Sequence, residues 1–311
     1  MSGSSSGPVS SSGSTTQTAA WRTGLGILTE GSGDARTGKL NTIAAAVLLD
    51  ADGRIVDVTL DELEVTISAD GAGAVTMPTD WRTKRQKGDD YPLAAASGLK
   101  KGWAEQADAF ADYLKGMTAA EAAKLETDED GKSKDADLLS SCTIAVDDYR
   151  DAVAKACANA EALGAAKGDS VALGVEAGST ASDLTATDDK DASAEISVTA
   201  VALTTDDDGR VTSAAADMAE PTFTVVADGT VTAPESIRSK LEQGDDYGMR
   251  KASALGKEWY EHAEGYCAYL KGKNAAEIAK IPADGSDADL AALCTIAVDD
   301  FQKAAAKALA E

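Results

Sequence analysis

Hydrophobic and polar positions along the chain follow one pattern twice. Between Asn41 and Ile67 apolar and polar residues alternate on both sides of the stretch DADGR, which contains Gly53. Alternation with a period of two indicates strands, and an acidic corner with a glycine indicates a tight turn. We therefore predict an antiparallel pair of strands. The stretch EISVTAVALTTDDDGRVTSAAADM repeats this pattern, with Gly209 at the corner.

A second apolar pattern has the spacing of a helix. Apolar residues recur every three or four positions from Ala96 to Leu114, and again from Ala252 to Leu270. Such a stripe is typical of an amphipathic helix that packs on a sheet. Gly116 and Gly272 follow the stripes, where a left-handed cap would end each helix. The next segments, TAAE and NAAE, match a capping box and predict a short second helix in each copy.

The last pattern of each copy combines a short apolar run with a pair of acids. CTIAV begins at Cys142 and again at Cys294, and two aspartates follow it in each copy. We predict a buried strand for CTIAV and a closing helix that begins at the acids, of which Asp147 is the first in copy one.

Together these patterns indicate a tandem duplication. GDDYPLAAASGLKKGW returns later in the chain as GDDYGMRKASALGKEW, and the similarity continues in register. A period of domain length indicates a duplicated domain, because solenoid units recur every ~20–50 residues. We predict an α+β protein in which residues 20–167 (repeat 1) and 168–311 (repeat 2) each form an antiparallel sheet with helices on one side and fold independently. Residues 1–19, rich in Gly, Ser and Thr, are predicted to be a flexible tether.

Charge and composition exclude several functions. The formal net charge of −24 argues against nucleic acid and anionic lipid as partners, since both require Lys/Arg-rich surfaces. No apolar run reaches the ~18 residues of a membrane span. The four cysteines do not form matched pairs in the two repeats, and the single histidine, His262, cannot supply a metal site or a catalytic triad to both. We interpret His262 as a partly exposed helical residue, and no catalytic residue is assigned.

Three clusters that recur in both repeats are candidate binding sites. A loop with adjacent acids and a tyrosine, feeding a helix, can present backbone N–H groups and a ring to a ligand, or can simply cap the helix with a packed tyrosine. The sequence leaves both interpretations open. The candidate residues are Asp89, Asp90, Tyr91 and Trp103, with Asp137, Ser140 and Thr143, in repeat 1, and Asp245, Asp246, Tyr247, Trp259, Asp289 and Thr295 in repeat 2.

The third cluster carries a resemblance to a known family. DLLSSCT, from Asp137 to Thr143, resembles the D-x-x-S-G-A-T segment of FMN-binding-domain proteins, and DADGRIVDVTLDELE resembles their opening strand pair. The motif K-x-x-x-GDDYGM…GKEWYE is similar to the sequences of a subgroup of that family found in surface lipoproteins, several of which have tandem copies. The resemblance implies FMN held near Thr143 and Thr295, electron relay with a membrane redox partner, and an extracytoplasmic, lipid-anchored protein on the cell surface.

Departures from the family segment bear on how a flavin would be held. Ser141 and Leu293 replace its glycine, and cysteines replace its alanine. Glycine at that position would let the backbone approach a phosphate closely. Noncovalent FMN is therefore favoured over FMN esterified to the threonine. A surface lipoprotein that binds another small molecule or a peptide without redox chemistry is the alternative, and a structural spacer of the cell envelope is a third interpretation.

Overall fold

A computed structural model of the chain describes residues 20–180, 183–284 and 286–310. The predicted tether of residues 1–19 lies outside them. Both repeats have the same order of elements, with strands first and helices after them. The two antiparallel sheets and their helices confirm the predicted α+β class.

Repeat 1 opens with the strands β1 (Arg22–Gly33), β2 (Thr37–Leu49), β3 (Ile55–Ala69) and β4 (Val75–Thr76). Its helices are α1 (Lys84–Lys87), α2 (Leu93–Ala96), α3 (Trp103–Leu114), α4 (Ala119–Ala122), α5 (Ala136–Leu139) and α6 (Asp147–Ala158). A 3₁₀ turn at Gly88–Asp90 follows α1 directly.

Repeat 2 opens with the strands β5 (Ser170–Ser179), β6 (Ala192–Thr205), β7 (Val211–Ala219), β8 (Thr222–Val225) and β9 (Val231–Thr232). Its helices are α7 (Lys240–Gln243), α8 (Trp259–Leu270), α9 (Ala275–Ile278), α10 (Ala288–Ala291) and α11 (Asp299–Ala308). A 3₁₀ turn at Gly244–Tyr247 follows α7.

The sheet of repeat 1 is an antiparallel meander in the order β1–β2–β3–β4. Its β2–β3 turn has the predicted form: Asp50 Oδ1 accepts the backbone N–H groups of Asp52 and Arg54, both at 2.9 Å, and Gly53 has a φ of +78°. An aspartate that binds its own backbone two residues on stabilises such a turn, and glycine takes positive φ without strain. The strand that opens each repeat, β1 or β5, was not predicted.

Repeat 2 divides the long third strand into two pieces. β6 pairs with β7 along one part and with β8 along another. Pro221 lies between β7 and β8, at the position that Val65 occupies within β3. Proline has no N–H group to donate to a ladder, and this explains why the strand is interrupted there.

Each sheet is covered on both faces, by helices on one side and by the sheet of the other repeat on the other. Alternate residues of β2 divide between the two cores: Leu40, Ala44, Ala46 and Leu48 face the other sheet, while Ile43, Ala45, Val47 and Leu49 face the helices. The period of two along a strand produces this division. The result is a four-layer arrangement of helices, sheet, sheet and helices.

Independent folding of the two repeats stays a prediction, and a core that both repeats form argues against it. Each has a helix-side core, but the core between the sheets takes residues from both, among them Leu25 and Leu63 of repeat 1 and Val198 and Phe223 of repeat 2. The physical reason is that β2 and β6 are apolar on both faces, so each sheet leaves a hydrophobic surface that its own helices do not cover.

Two other predictions need correction. The CTIAV segments are not strands: residues 142–146 form an irregular connection in which only Ala145 makes an isolated bridge, to Lys132. The apolar stripe is one continuous helix only from Trp103 and from Trp259. Ala96 is the last residue of the short helix α2, and residues 97–102 and 251–258 form turns and irregular structure. The spacing of the apolar residues before each tryptophan continues the period of the helix, although most of these residues lie outside it.

The predicted helix ends are otherwise confirmed. Thr118 with Glu121, and Asn274 with Glu277, form reciprocal capping boxes at the start of α4 and α9. Gly116 has a φ of +85°, as expected for the residue that ends the α3 segment. α6 and α11 begin at the paired aspartates, whose charges favour a helix N-terminus.

Candidate functional site

A cavity of about 250 Å³ lies in repeat 1 between the sheet and the helices α1, α3 and α6. It combines aromatic side chains with several ionisable ones. Its lining includes Ile43, Glu62, Glu64, Lys84, Tyr91, Leu93, Trp103, Ile144, Asp147, Asp148 and Tyr149. We call it the repeat 1 cavity.

Lys84 is the central cation of this cavity. Its Nζ lies 2.7 Å from Glu62 Oε2 and 2.8 Å from Glu64 Oε1, and 5.1 Å from the centre of the Tyr91 ring. Thr83 places the lysine by capping α1, with its side chain accepting the N–H of Gln86. The Lys84 side chain is only 8 % exposed, so the ion pair with Glu62 is shielded from water.

Glu62 also connects the lysine to two aromatic residues. The Tyr149 hydroxyl donates to Glu62 Oε2 in a short hydrogen bond. The same hydroxyl accepts from Trp103 Nε1 at 2.9 Å, and the two rings meet edge to face with centres 5.9 Å apart. A continuous chain of polar contacts therefore runs from Glu64 at the surface, through Lys84 and Glu62, to Tyr149 and Trp103.

The electrostatics of this chain follow from its charge count and its burial. One lysine faces two carboxylates, which leaves an excess negative charge when all three groups are ionised. Burial raises the pKa of Glu62 above its usual range, although Lys84 and Tyr149 oppose that effect. Burial disfavours the charged lysine, but the carboxylates outweigh it and raise the pKa of Lys84. Burial, followed by the charge of Glu62, holds the pKa of Tyr149 well above 10.0.

Asp61 lies next to Glu62 and is buried in the same region. Its Oδ1 accepts the backbone N–H of Glu62 at 2.8 Å and that of Arg85 at 3.3 Å. Burial raises the pKa of Asp61 to about 6, against hydrogen bonds that favour the carboxylate. Asp217 accepts the equivalent N–H groups in repeat 2, from Met218 and Leu241, which fixes the correspondence of the two strands.

Thr143, the motif threonine, adjoins the cavity through the next residue, Ile144. Its backbone N–H and its hydroxyl both donate to Gln106 Oε1, at 2.8 and 3.1 Å. Gln106 Nε2 in turn donates to Ser97 Oγ at 3.1 Å. The positive charge of Lys101 acts on neighbouring Cys142 and works against the effect of burial, which raises the pKa of that thiol to about 11. A cation therefore lies near this segment.

Repeat 2 builds the same connection with the only histidine. His262 Nδ1 accepts the backbone N–H of Thr295 at 3.2 Å, and its Nε2 lies 2.8 Å from Ser253 Oγ. Because Nδ1 is the acceptor, Nε2 carries the proton and donates to the serine. The prediction of a partly exposed histidine is wrong: the side chain is buried between Ser253 and the Thr295 segment.

The polar chain of the repeat 1 cavity is not preserved in repeat 2. Lys240 is retained and pairs with Glu220 at 2.6 Å, and it lies 5.5 Å from the centre of the Trp259 ring. However, Met218 occupies the position of Glu62, and Phe301 that of Tyr149. The donor and the acceptor of this hydrogen bond in repeat 1 are thus both replaced in repeat 2 by apolar side chains of similar size.

The structure brings together only part of the predicted site. Tyr91 and Trp103 line the cavity, and Thr143 lies beside it. The remaining predicted residues of repeat 1 are exposed and lie away from the lining; these are Asp89, Asp90, Asp137 and Ser140. Asp90 pairs with Arg82 at 2.8 Å, and the Ser140 hydroxyl donates to the Asp137 carbonyl at 2.7 Å. These contacts are those of turns and helix ends, the second interpretation left open above.

Two of the predicted residues of repeat 2, Tyr247 and Thr295, are more exposed than their counterparts and face solvent. Asp289 is exposed as Asp137 is, and Trp259 is buried as Trp103 is. Asp245 contacts Arg250 at 3.2 Å, and Asp246 contacts Arg238 at 3.5 Å.

Sequence reasoning missed Glu62, Glu64 and Tyr149. A signal was present: DELE places acids inside an otherwise apolar strand, and a comparison of the repeats pairs Glu62 with Met218 and Tyr149 with Phe301. Residues that both repeats share belong to the common fold. Positions at which the two repeats carry different residues identify the polar chain.

Comparisons with known proteins assign no family to the chain. No protein-family profile matches the chain, and no solved structure matches it. A stretch of 40 residues is 48 % identical to a chlorophenol reductase of Desulfitobacterium hafniense, and it covers 13 % of this chain and 12 % of that protein. Within the described residues, no helix combines the length and the apolar character that crossing a bilayer requires.

Proposed function

We propose that repeat 1 binds FMN or a closely related flavin noncovalently, and that the protein relays electrons to or from a membrane redox partner at the cell surface. The observation that carries this proposal is the position of Thr143. The threonine of the family-like segment adjoins a cavity that is lined by Tyr91 and Trp103.

The chemistry of the cavity suits a planar heterocycle. Aromatic and aliphatic side chains offer contact area, and the ammonium group of Lys84, with three N–H donors, offers a hydrogen-bond donor to ring oxygens and nitrogens. Thr143 and nearby Lys101 would face the phosphate, outside the acidic lining. When bound, the isoalloxazine ring would supply the electron-transfer chemistry, while the protein supplies position and electrostatics.

Repeat 2 has a weaker case for the same ligand. Its motif carries Leu293 in place of glycine, and it lacks counterparts of Glu62 and Tyr149. We therefore expect one flavin per chain, in repeat 1.

The place of action rests on composition. Residues 1–19 consist largely of Gly, Ser and Thr, as in the tethers that follow the lipidated cysteine of surface lipoproteins. The short match to a protein named a reductase agrees with a redox role, but it covers too little of either chain to carry the proposal.

Absorbance spectroscopy tests the proposal directly. We expect the purified protein, or the protein reconstituted with FMN, to show flavin bands at a ratio of one per chain. Denaturation should release the flavin, because no ester bond is proposed. Thr143→Ala should lower the affinity for FMN, whereas Thr295→Ala, its matched control in repeat 2, should not. Protein that remains colourless and does not quench FMN fluorescence would contradict the proposal.

A second candidate function is supported by the charge of the cavity. Glu62, Glu64, Asp147 and Asp148 all contribute to its lining, against the single charge of Lys84. A small organic cation, or the amino group of a peptide, would complement this excess. A thermal-shift screen of cationic and flavin ligands separates the two functions, because only a ligand that binds the native state raises the melting temperature.

A further inference from the structure

The hydroxyl of Tyr149 has more potential partners than it can satisfy with one proton. It accepts the N–H of Trp103, it contacts Glu62, and its residue lines the repeat 1 cavity. A phenol carries one O–H donor and acceptor lone pairs on its oxygen. The direction of the hydroxyl proton therefore depends on the group that lies opposite the hydroxyl.

The protonation state of Glu62 determines this direction. When Glu62 is ionised it can only accept, so the Tyr149 proton points to the carboxylate. When Glu62 is protonated it can donate to Tyr149, and the hydroxyl oxygen then accepts from both Glu62 and Trp103. The tyrosine proton is then released from the carboxylate and is free to turn toward a ligand in the cavity that Tyr149 lines.

We infer that Tyr149 is a hydrogen-bond donor to the ligand of the repeat 1 cavity, and that protonation of Glu62 switches this donor on. The inference rests on the proposed function for the choice of FMN as the ligand. It adds a requirement on chemistry: the ligand presents an acceptor to Tyr149, such as a ring nitrogen or a carbonyl oxygen of a planar heterocycle.

Glu62 is placed so that it can take up a proton and exchange it with solvent. Its side chain is 5 % exposed, and its partner Lys84 also contacts Glu64, whose side chain is 48 % exposed. Burial, and to a smaller extent the charge of Glu64, raises the pKa of Glu62 against the opposing effect of Lys84. The charged and titratable groups that face it or line the same cavity are Lys84 of α1, Glu64 of its own strand, and Asp147, Asp148 and Tyr149 of α6.

Repeat 2 supplies the natural comparison. Met218 cannot take up a proton and Phe301 has no hydroxyl to turn, although Lys240 and Trp259 are kept. The same fold therefore accommodates an apolar pair at these positions, and substitutions that copy it into repeat 1 should fold.

The test is the affinity for FMN as a function of pH, measured by quenching of its fluorescence. In the wild-type protein we expect binding to weaken by about 2- to 10-fold as Glu62 ionises, the range that one hydrogen bond contributes. Glu62→Gln should bind tightly throughout, because Lys84 takes the amide oxygen and leaves the amide N–H for Tyr149. Tyr149→Phe should bind weakly at low pH and lose most of the dependence. Equal affinities and slopes in the wild type and Tyr149→Phe would overturn the inference.

A measurement without ligand separates this inference from the proposed function. In protein labelled with ¹³C at the tyrosine ring carbon that bears the hydroxyl, the Tyr149 signal is identified by its loss in Tyr149→Phe. It should shift as Glu62 titrates and stay constant in Glu62→Gln. If FMN fails to bind while this shift is seen, the proposed function is contradicted and the switch stands. A Tyr149 signal that does not respond to pH contradicts the switch, whether or not FMN binds.

Discussion

Gln106 and His262 are different residues that perform one task at equivalent positions. Each accepts the backbone N–H of the motif threonine, through an amide oxygen or through Nδ1, and each contacts a serine nine residues earlier. An amide and a neutral imidazole both have an acceptor on one side and a donor on the other. Only the imidazole can lose this arrangement, since protonation converts its acceptor into a second donor.

At the residue scale this predicts that His262 makes the protein sensitive to acid. Burial, and secondarily Lys257, lowers the pKa of His262 below its usual 6.5. In the unfolded chain His262 thus takes up a proton near pH 6.5, whereas in the folded chain it does not. The stability from neutral His262, fully present above the unfolded pKa, is lost as the pH falls through the lowered pKa of the folded state.

His262→Gln, which copies Gln106 of repeat 1, tests this prediction. We expect the variant to lose less free energy of unfolding than the wild type between about pH 8 and about pH 5, in denaturant titrations at each pH. Other groups titrate in this range, among them Asp217, and they act equally in both proteins. Parallel stability curves for the two proteins would contradict the role assigned to His262.

How far the candidate site was predictable depends on the kind of residue. Trp103 and Tyr91 could be found because both repeats keep an aromatic residue there. Glu62 could not be placed from its own strand, since the pattern allows a solvated acid at that position as readily as a buried one. Its environment is set by Lys84 and Tyr149, which come from helices 22 and 87 residues further along the chain.

At the scale of elements, close packing of helix on strand depends on glycines. A Cβ atom at Gly24 of β1 would come within 2.0 Å of the Ala156 carbonyl oxygen in α6. A Cβ atom at Gly174 of β5 would lie 1.8 Å from the Ala304 carbonyl oxygen in α11. In both repeats the closing helix therefore rests directly on the first strand, and a side chain would push the two apart.

Gly174→Ala should destabilise the protein by about 1–3 kcal/mol, the usual cost of overpacking. The reason is that the backbone of β5 or α11 must move to admit the methyl group. Gly178→Ala, in the same strand, is the matched control, since nothing lies within 4 Å of its added Cβ. That control should be neutral, or stabilising by up to about 1 kcal/mol through a less flexible unfolded chain. Chemical denaturation of the three proteins measures both effects, and equal losses in the two variants would contradict this account of the packing.

Predictability at this scale follows local signals. The β2–β3 turn, the capping boxes of α4 and α9 and the acidic starts of α6 and α11 are encoded within a few residues, and all of these were predicted. The irregular structure of CTIAV was not predicted, because β-branched residues in an apolar run suggest a strand whatever their partners are. In the fold, Cys142 N–H donates to the Leu138 carbonyl and Val146 N–H to the Gly131 carbonyl, so the segment bonds to nearby turns and not to a sheet.

At the scale of the whole molecule, the repeats share their central core. Phe223 shows this directly: its ring atoms lie 3.4 Å from an added Cβ at Gly31 and 2.9 Å from one at Gly38, both in repeat 1. Lys155 and Glu242 join the repeats at the surface, at 2.6 Å. The pattern of β2 shows that both its faces are buried, but it does not show what covers the second face, and so the sequence could not reveal this pairing.

A shared core predicts that the repeats unfold together. Phe223 is fully buried, so Phe223→Ala should cost about 3–5 kcal/mol. The same loss of free energy of unfolding should be reported by the fluorescence of Trp103 in repeat 1 and of Trp259 in repeat 2. Each is measured in a variant that retains only that one of the two tryptophans. The comparison is Phe301→Ala, which removes a ring from the helix-side core of repeat 2 alone. Cooperative coupling through the sheets requires a single midpoint for both reporters in each variant. If Phe223→Ala lowers the midpoint at Trp259 and leaves that at Trp103 unchanged, the two repeats are energetically separate despite their contact.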